Sequence, residues 1–320
     1  MGGHDLSGPR IALIVNPVSG LGRGARVAAA VARRLEAQAS VQVHAGASAA
    51  ESAALLASVA GACDAVVVVG GDGIVHLALQ ALAEGRTPLG IIPAGTGNDT
   101  AAVLGYPADP LAAADAVLAA LAAGSIRRVD LGRTADGRWW STVLCAGFDS
   151  AVNERANRMR WPRGPRRYDL AIAAELLRLA PRRFRLRLDG AELDLQATLV
   201  AVGNGPQYAG GKRITPAARL DSGSFAVTVV GAISRRTFVR LAPTLPRAGH
   251  LGHPAVSTYT AREITIDASA TAAYADGEYL SALPVTTSCV PAALPVLVPP
   301  TPDRGVFWSP GDDNTPRFAS

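Results

Sequence analysis

Short apolar, β-branched runs alternate with helical patterns through the first 130 residues, and three of these runs end in glycine-rich loops. Ile11–Val15 closes at Asn16-Pro17, Ala65–Val69 runs into Gly70, Gly71, Asp72 and Gly73, and Leu89–Pro93 leads to Gly95, Thr96, Gly97, Asn98 and Asp99. Between them lie a helix with Val27, Val31 and Leu35 on one face, a helix opened by a Ser48–Glu51 capping box, and a helix striped by Val75, Leu79 and Leu82. Val41–His44 reads as the second strand, and Asp109-Pro110 as the cap and first position of a helix ending near Gly124. This alternation specifies α/β architecture: a doubly wound, mainly parallel sheet with helices on both faces. Ligands of such sheets sit beyond the carboxyl ends of the strands, where all three glycine loops fall.

From about residue 131 the texture changes to strand-rich segments, Trp139–Leu144, Phe184–Leu188, Ala197–Val202, Phe225–Val230 and Glu263–Ala268. Arg185–Leu195 alternates about an Asp189-Gly190 turn, as a hairpin does. Helical patterns recur at Asp169–Leu179 and Arg235–Leu241. The expected organisation is a first domain over residues 9–130, rejoined by a last strand near 290–298, a mostly antiparallel β domain over 131–289, and a disordered Pro-, Gly- and Asp-rich tail over 299–320.

The apolar fraction of 49% is enough for a sizeable core, while no apolar run is long enough to cross a bilayer. Met1–Arg10 lacks a basic region followed by an apolar stretch, so no signal peptide and a cytoplasmic address are expected. Cys63, Cys145 and Cys289 are too scattered for a disulfide framework or a zinc set. The formal charge of +5 comes almost wholly from arginine; Lys212 is the sole lysine, which excludes a Walker-type P-loop in the N-terminal loops.

The loops carry the chemistry. Glycines at 70, 71 and 73 let the backbone approach phosphate, and the following helix offers free N–H groups to an anion. A carboxylate beside phosphates is repelled unless a divalent cation lies between them, so Asp72 implies Mg²⁺. The same residues also suit a plain strand–helix turn capped by Asp72. Gly95–Asp99 repeats the composition after a later strand, and adjacent strand ends would bring Asp72 and Asp99 into one cleft. Asn16 with Gly20 and Gly22 makes a third rim suited to backbone contacts with phosphate. Far along the chain, Asp276-Gly277-Glu278 is a turn between strands; it is bland alone, but transfer to an alcohol needs a carboxylate to accept the hydroxyl proton. Arg155–Arg187 holds eleven arginines against Asp169 and Glu175, with Trp161, Tyr168 and Phe184 interleaved. That composition suits anionic lipid headgroups or a solvated basic face; no nucleic-acid motif accompanies it, so nucleic acid is not an expected partner. His250 and His253 lack a third ligand and read as structural.

Taken together, Asn16–Gly24, Gly70–Gly73 and Gly95–Asp99 resemble the catalytic domain of the diacylglycerol kinase family. Gly147–Asp149, Gly203–Gly205, Gly210-Gly211, Leu220–Gly223, Gly252–Pro254 and Asp276–Glu278 follow in the order of its bacterial soluble members, so the resemblance runs from Ile11 to Val298. It implies a nucleotide-binding first domain, a β-sandwich second domain, and ATP with Mg²⁺ in the cleft between them. By motif position, Asp72, Asp99 and Asp130 would organise the metal and Asp221 would mark a structural Mg²⁺ turn. Thr96 and the segment Gly70–His76, including Ile74 and Val75, would contact nucleotide beside Gly95, Gly97 and Asn98. Glu278 would be the base, with Asp276 supporting it. The chain departs from the family at Ile74 and His76, where threonine and asparagine are usual, at Thr100–Ala102, at His44 and at Ser222. The implied function is a peripherally membrane-associated kinase of a diacylglycerol-like or sphingoid-like lipid hydroxyl, docking through residues 155–187, with a homodimer left open. The rival readings are a kinase of a soluble acceptor, similar to NAD kinase, and a nucleotide- or lipid-binding protein that no longer turns over.

Overall fold

The structure, a computed structural model, describes residues 8–15, 24–159, 161, 166–269 and 271–299. The rim at Asn16, Gly20 and Gly22, and the tail beyond Pro299, lie outside the described residues.

The first half alternates as its periodicity dictates: β1 (Arg10–Val15), α1 (Gly24–Glu36), β2 (Ser40–Ala45), α2 (Ala49–Val59), β3 (Ala65–Gly70), α3 (Asp72–Leu82), β4 (Leu89–Pro93), α4 (Asp99–Val103) and α5 (Pro110–Ala123). The four strands are parallel in the order β2-β1-β3-β4. Val66–Val69 are wholly buried, which is why β3 reads as an unbroken apolar run. The caps follow the sequence signals. Ser48 Oγ accepts from the Glu51 N–H (3.1 Å), while Glu51 reaches back to the Ala47 N–H (2.8 Å). Asp109 accepts from the N–H groups of Leu111 and Ala112, and Gly124 closes α5 in the left-handed region.

The second half comprises β5 (Ile126–Thr134), β6 (Trp139–Trp140), β7 (Val143–Gly147), α6 (Phe148–Arg158), α7 (Arg166–Leu176), β8 (Arg182–Leu188), β9 (Ala191–Gly203), β10 (Phe225–Gly231), α8 (Arg235–Leu241), β11 (Val256–Ala261), β12 (Glu263–Asp267), β13 (Ala272–Ala275), β14 (Glu278–Ala282) and β15 (Val285–Leu297). Its ladders are antiparallel, and the β8–β9 hairpin turns at Asp189-Gly190 with both residues at positive φ, as a two-residue hairpin requires. Alternation sorts side chains to two faces: Leu144, Ala146, Val200 and Val202 join Phe184 and Phe225 inside, whereas Val143, Cys145, Leu199 and Ala201 pack under α6 and α7.

One strand joins the halves. The start of β15 pairs with β12, its length runs antiparallel to β5, and Val296 lies beside Leu89 of β4 in parallel. A bulge between Val290 and Leu294 lets it change course; Ala292 there sits at φ 51°. Among the described residues no helix is long and apolar enough to cross a membrane.

The inner core is keyed by Trp140, which stacks on Phe225 (5.0 Å between centroids) and donates from Nε1–H to Thr287 Oγ1 (2.9 Å). Its indole lies over Gly132, where a Cβ would fall 2.0 Å from Trp140 Cε2. Gly132→Ala is therefore expected to overpack a wholly buried ring and destabilise by about 2–3 kcal/mol, read as a lowered urea midpoint at unchanged slope.

Candidate active site

The two glycine loops meet because β3 and β4 are neighbours, with Gly70 opposite Pro93. The Ala94 N–H donates to the Gly70 carbonyl (2.9 Å), and a Cβ on Gly95 would stand 2.4 Å from Gly71 Cα. The loops therefore touch backbone to backbone, which only glycine allows. Asn98 turns its amide inward: Oδ1 accepts from the Gly95 N–H (2.9 Å) and Nδ2 donates to the Gly95 carbonyl (3.1 Å). Its side chain holds the loop closed, and Thr96 and Gly97 form the exposed lip. Ile74 and Val75, in the segment expected to contact nucleotide, are each 2% exposed and their side chains belong to the core, so it is the backbone of the α3 first turn that is free to face a ligand there.

Asp72 and Asp99 come together at this lip. A Cβ on Gly97 would lie 2.7 Å from Asp72 Oδ2 and 3.4 Å from Asp99 Oδ2, so glycine keeps open a gap that both carboxylates border. Asp72 Oδ1 accepts from the Thr100 N–H (3.2 Å). Asp99 reaches across the domain joint to accept from Gly210 N–H (3.0 Å) and Gly211 N–H (3.2 Å), both bent into positive φ. Burial, and after it the charge of Asp99, pushes Asp72 up to about 6 over the opposing amide bonds. Burial likewise raises Asp99 against the two glycine amides and the charge of Lys212. Two carboxylates bordering one gap, each discouraged from ionising, form a donor set that fits a hard divalent cation. Among the described residues no third His, Cys, Asp or Glu completes a cluster able to hold a metal.

The second domain adds Asp276 and Glu278. Asp276, with its side chain 1% exposed, accepts from Ser141 N–H (2.8 Å), Thr142 N–H (2.8 Å) and the Thr142 hydroxyl (2.7 Å), and His76 Nδ1 lies 3.5 Å from its Oδ2. Burial would raise Asp276, but the bond and charge of His76 and the Thr142 and Ser141 donors outweigh it and hold the carboxyl below its ordinary value. Glu278 is exposed, and its Oε1 stands 3.2 Å from where a Cβ on Gly73 would be.

Asp130 and Asp221 are grouped elsewhere. Asp130 accepts from Gly223 N–H (2.6 Å) and from Ala292 N–H (2.8 Å) at the β15 bulge. Asp221 pairs with Arg219 (3.2 Å), and its charge helps raise Asp130 after burial has done so. Neither carboxylate appears in the hydrogen bonding of the Asp72–Asp99 gap; Asp130 locks a turn. Sequence reasoning gave no role to Gly210, Gly211, Ser141 or Thr142. Only the place of Gly210-Gly211 among the ordered glycine motifs hinted at one. The arginine-rich run is partly neutralised: Arg155 pairs with Glu175, Arg158 with Glu154, Arg183 with Asp194 and Arg185 with Asp267.

Comparison with known proteins adds the following. The family described as Diacylglycerol kinase catalytic domain matches residues 10–134, and that described as YegS C-terminal NAD kinase beta sandwich-like domain matches 142–298. A diacylglycerol kinase of Mycobacterium tuberculosis is 44% identical over 304 residues, covering 92% of this chain and 96% of the relative. One of Staphylococcus saprophyticus is 28% identical over 225 residues, 69% of this chain and 72% of the relative. A crystal structure of a diacylglycerol kinase from Bacillus anthracis superposes with a TM-score of 0.75 at 22% identity, covering 91% of this chain and 98% of that one, and so shares the fold.

The raised Asp72 gives a pH prediction for metal-free protein. Between its unfolded value near 4 and about 6 the folded chain holds the extra proton. Stability from this group is thus fully present below about 4 and is lost as pH rises through about 6. Asp72→Asn removes the titration and should match the wild type at about pH 4 but exceed it by roughly 3 kcal/mol at about pH 7.5, measured by urea unfolding in chelator.

Proposed function

The chain belongs to the diacylglycerol kinase family, and on that premise we propose that it transfers the γ-phosphoryl group of ATP, with Mg²⁺, to a hydroxyl of a diacylglycerol-like or sphingoid-like lipid. The observation that carries this reading is the Gly97 gap between Asp72 and Asp99, opened at the joined glycine loops, with Glu278 of the other domain beside Gly73. Asp72 and Asp99 would hold Mg²⁺, which when bound neutralises phosphate charge. The exposed lip at Thr96 and Gly97 and the first-turn amides of α3 would orient the triphosphate. Glu278 would accept the proton of the attacking hydroxyl at its carboxylate oxygen as the new O–P bond forms and the bond to ADP breaks, ADP leaving with its electron pair. Asp276, bonded to the Ser141 and Thr142 donors, would hold the turn that carries Glu278.

A lipid acceptor requires a meeting with the bilayer, and we place it on the α6–α7 segment. Trp161 is 81% exposed and Leu177 71%, with Leu170 half-exposed between them and the exposed Arg166 and Arg178 flanking. Exposed apolar side chains flanked by arginine favour an anionic membrane surface. The paired arginines of β8 contribute less, since Asp194 and Asp267 already neutralise Arg183 and Arg185.

Two outcomes test these assignments. ADP release from MgATP is expected with dispersed lipid hydroxyls and absent with NAD, and Glu278→Gln should lower kcat by about 10²–10⁴-fold. Turnover with NAD alone would turn the reading to a soluble acceptor. Trp161→Ala with Leu177→Ala should weaken cosedimentation with anionic vesicles by about tenfold and leave the KM for MgATP unchanged.

A further inference from the structure

His76 stands where the family usually has asparagine, and its surroundings give it a role. Helix α3 turns one face to the second domain, carrying Gly73, His76 and Gln80 at helical spacing. Gln80 fixes the far end of that face: Nε2–H donates to the Trp139 carbonyl (2.8 Å) and Oε1 accepts from the Trp139 N–H (3.0 Å). At the near end Glu278 Oε1 rests 3.2 Å from the Cβ position of Gly73. Between them His76 Nδ1 meets Asp276 Oδ2 at 3.5 Å, with the ring 13% exposed and the carboxylate 1%. Asp276 and Gly277 form the two-residue turn of the β13–β14 hairpin, both at positive φ, with Ala275 opposite Glu278. The other donors to Asp276 come from Ser141 and Thr142 of its own domain. His76 is therefore the contact by which α3 holds the turn that bears Glu278.

We propose that His76 is a positioning residue of the phosphoryl-transfer site: it ties the Asp276–Glu278 turn to α3 and so keeps Glu278 over the helix N-terminus where the acceptor hydroxyl arrives. This rests on the reading of Glu278 as the acceptor-side base. The groups facing the ring are Asp276, Glu278 and Arg138. Burial alone would lower His76, but the bond and charge of Asp276 with the charge of Glu278 prevail over it and over Arg138, and the imidazole is raised. A protonated ring would give Asp276 a charge-assisted bond.

The test compares full-length wild type, His76→Ala, His76→Asn and Glu278→Gln. Kinetics use ADP release with MgATP and dispersed 1,2-dioleoylglycerol; hydrogen exchange of the Ala275–Tyr279 amides is followed in parallel. His76→Ala should speed exchange of that hairpin by about tenfold or more while β9 is unaffected, and should lower kcat by about 10–100-fold with the KM for MgATP within about twofold. His76→Asn, which keeps an amide donor, should recover most of kcat but lose the imidazole's inflection from the kcat–pH profile. In the Glu278→Gln background, His76→Ala should cost nothing further in kcat. Unchanged hairpin exchange in His76→Ala, or a wild-type kcat, overturns the proposal, as does an equal loss of MgATP binding, which would make the role merely structural. If Glu278→Gln is fully active, or the wild type turns over no lipid, the underlying reading of the site fails instead, while hairpin exchange still decides whether His76 ties the turn.

Discussion

A carboxylate taken out of water must be supplied with hydrogen-bond donors, and much of this molecule is arranged around that requirement. Asp99, Asp130 and Asp276 are each drawn inside, and each is met by backbone N–H groups from a remote segment. The Gly210–Gly211 amides serve Asp99 across 111 and 112 residues, the Gly223 amide serves Asp130 across 93, and the Ser141 and Thr142 amides serve Asp276 across 135 and 134. The Asp99 bonds cross from the first half to the second, and those of Asp130 fix a second-half turn and the β15 bulge against β5. Because an unpaired buried carboxylate costs several kcal/mol, these contacts set the spacing of the cleft as firmly as the apolar cores do. Asp72 is treated differently. It accepts amide bonds from Thr100 and Asp99, faces the charge of Asp99, and is raised to about 6. The carboxylate that burial and a neighbouring charge most discourage from ionising is thus the one at the mouth of both loops.

The parallel half of the fold was legible because its signals are local. The β3 and β4 runs, the Ser48 capping box and the Asp109-Pro110 start each act within a few residues. In the second half Phe184–Leu188, Phe225–Val230 and the Asp189-Gly190 hairpin were legible for the same reason. Trp139–Leu144 was expected as one strand, yet Ser141 and Thr142 interrupt it, because their N–H groups turn to Asp276 instead of a ladder partner. Helix α6 buries Phe148, Val152 and Ala156 along one stripe but is otherwise polar and was passed over. Strands β11, β13 and β14, short and rich in Ser, Thr and Ala, take their conformation from neighbours and show no periodicity of their own.

Site residues divide along the same line. Asp72 and Asp99 could be paired from sequence, since adjacent strand ends in a parallel sheet lie side by side. Motif order set Asp130 beside the metal, and no local pattern could foresee its own partners, the Gly223 and Ala292 N–H groups at a second-half turn and the β15 bulge. Ile74 and Val75 illustrate the same limit on a helix. Motif position put them with the nucleotide, while the 3.6-residue period turns both toward the core. The contacts of Gly210 and Gly211 with Asp99 depend on how two domains pack, which no local pattern encodes.

The glycines themselves show two different physical needs. Gly210, Gly211 and Gly277 lie at positive φ, where a side chain would strain the backbone. Among the described residues Gly71, Gly73, Gly95 and Gly97 do not, so alanine could adopt their backbone angles. What disfavours a Cβ at these four is lack of space: Gly71 and Gly95 press on each other, Gly73 meets the outer end of the exposed Glu278 side chain, and Gly97 faces Asp72 and Asp99. A glycine kept for conformation serves the fold wherever it occurs. One kept clear of the carboxylates of a cleft leaves room for whatever enters it. Gly132 is likewise kept for space, beneath Trp140, but these four lie together at the carboxyl ends of β3 and β4, and that grouping ties the local chemistry of the loops to the function proposed for the cleft.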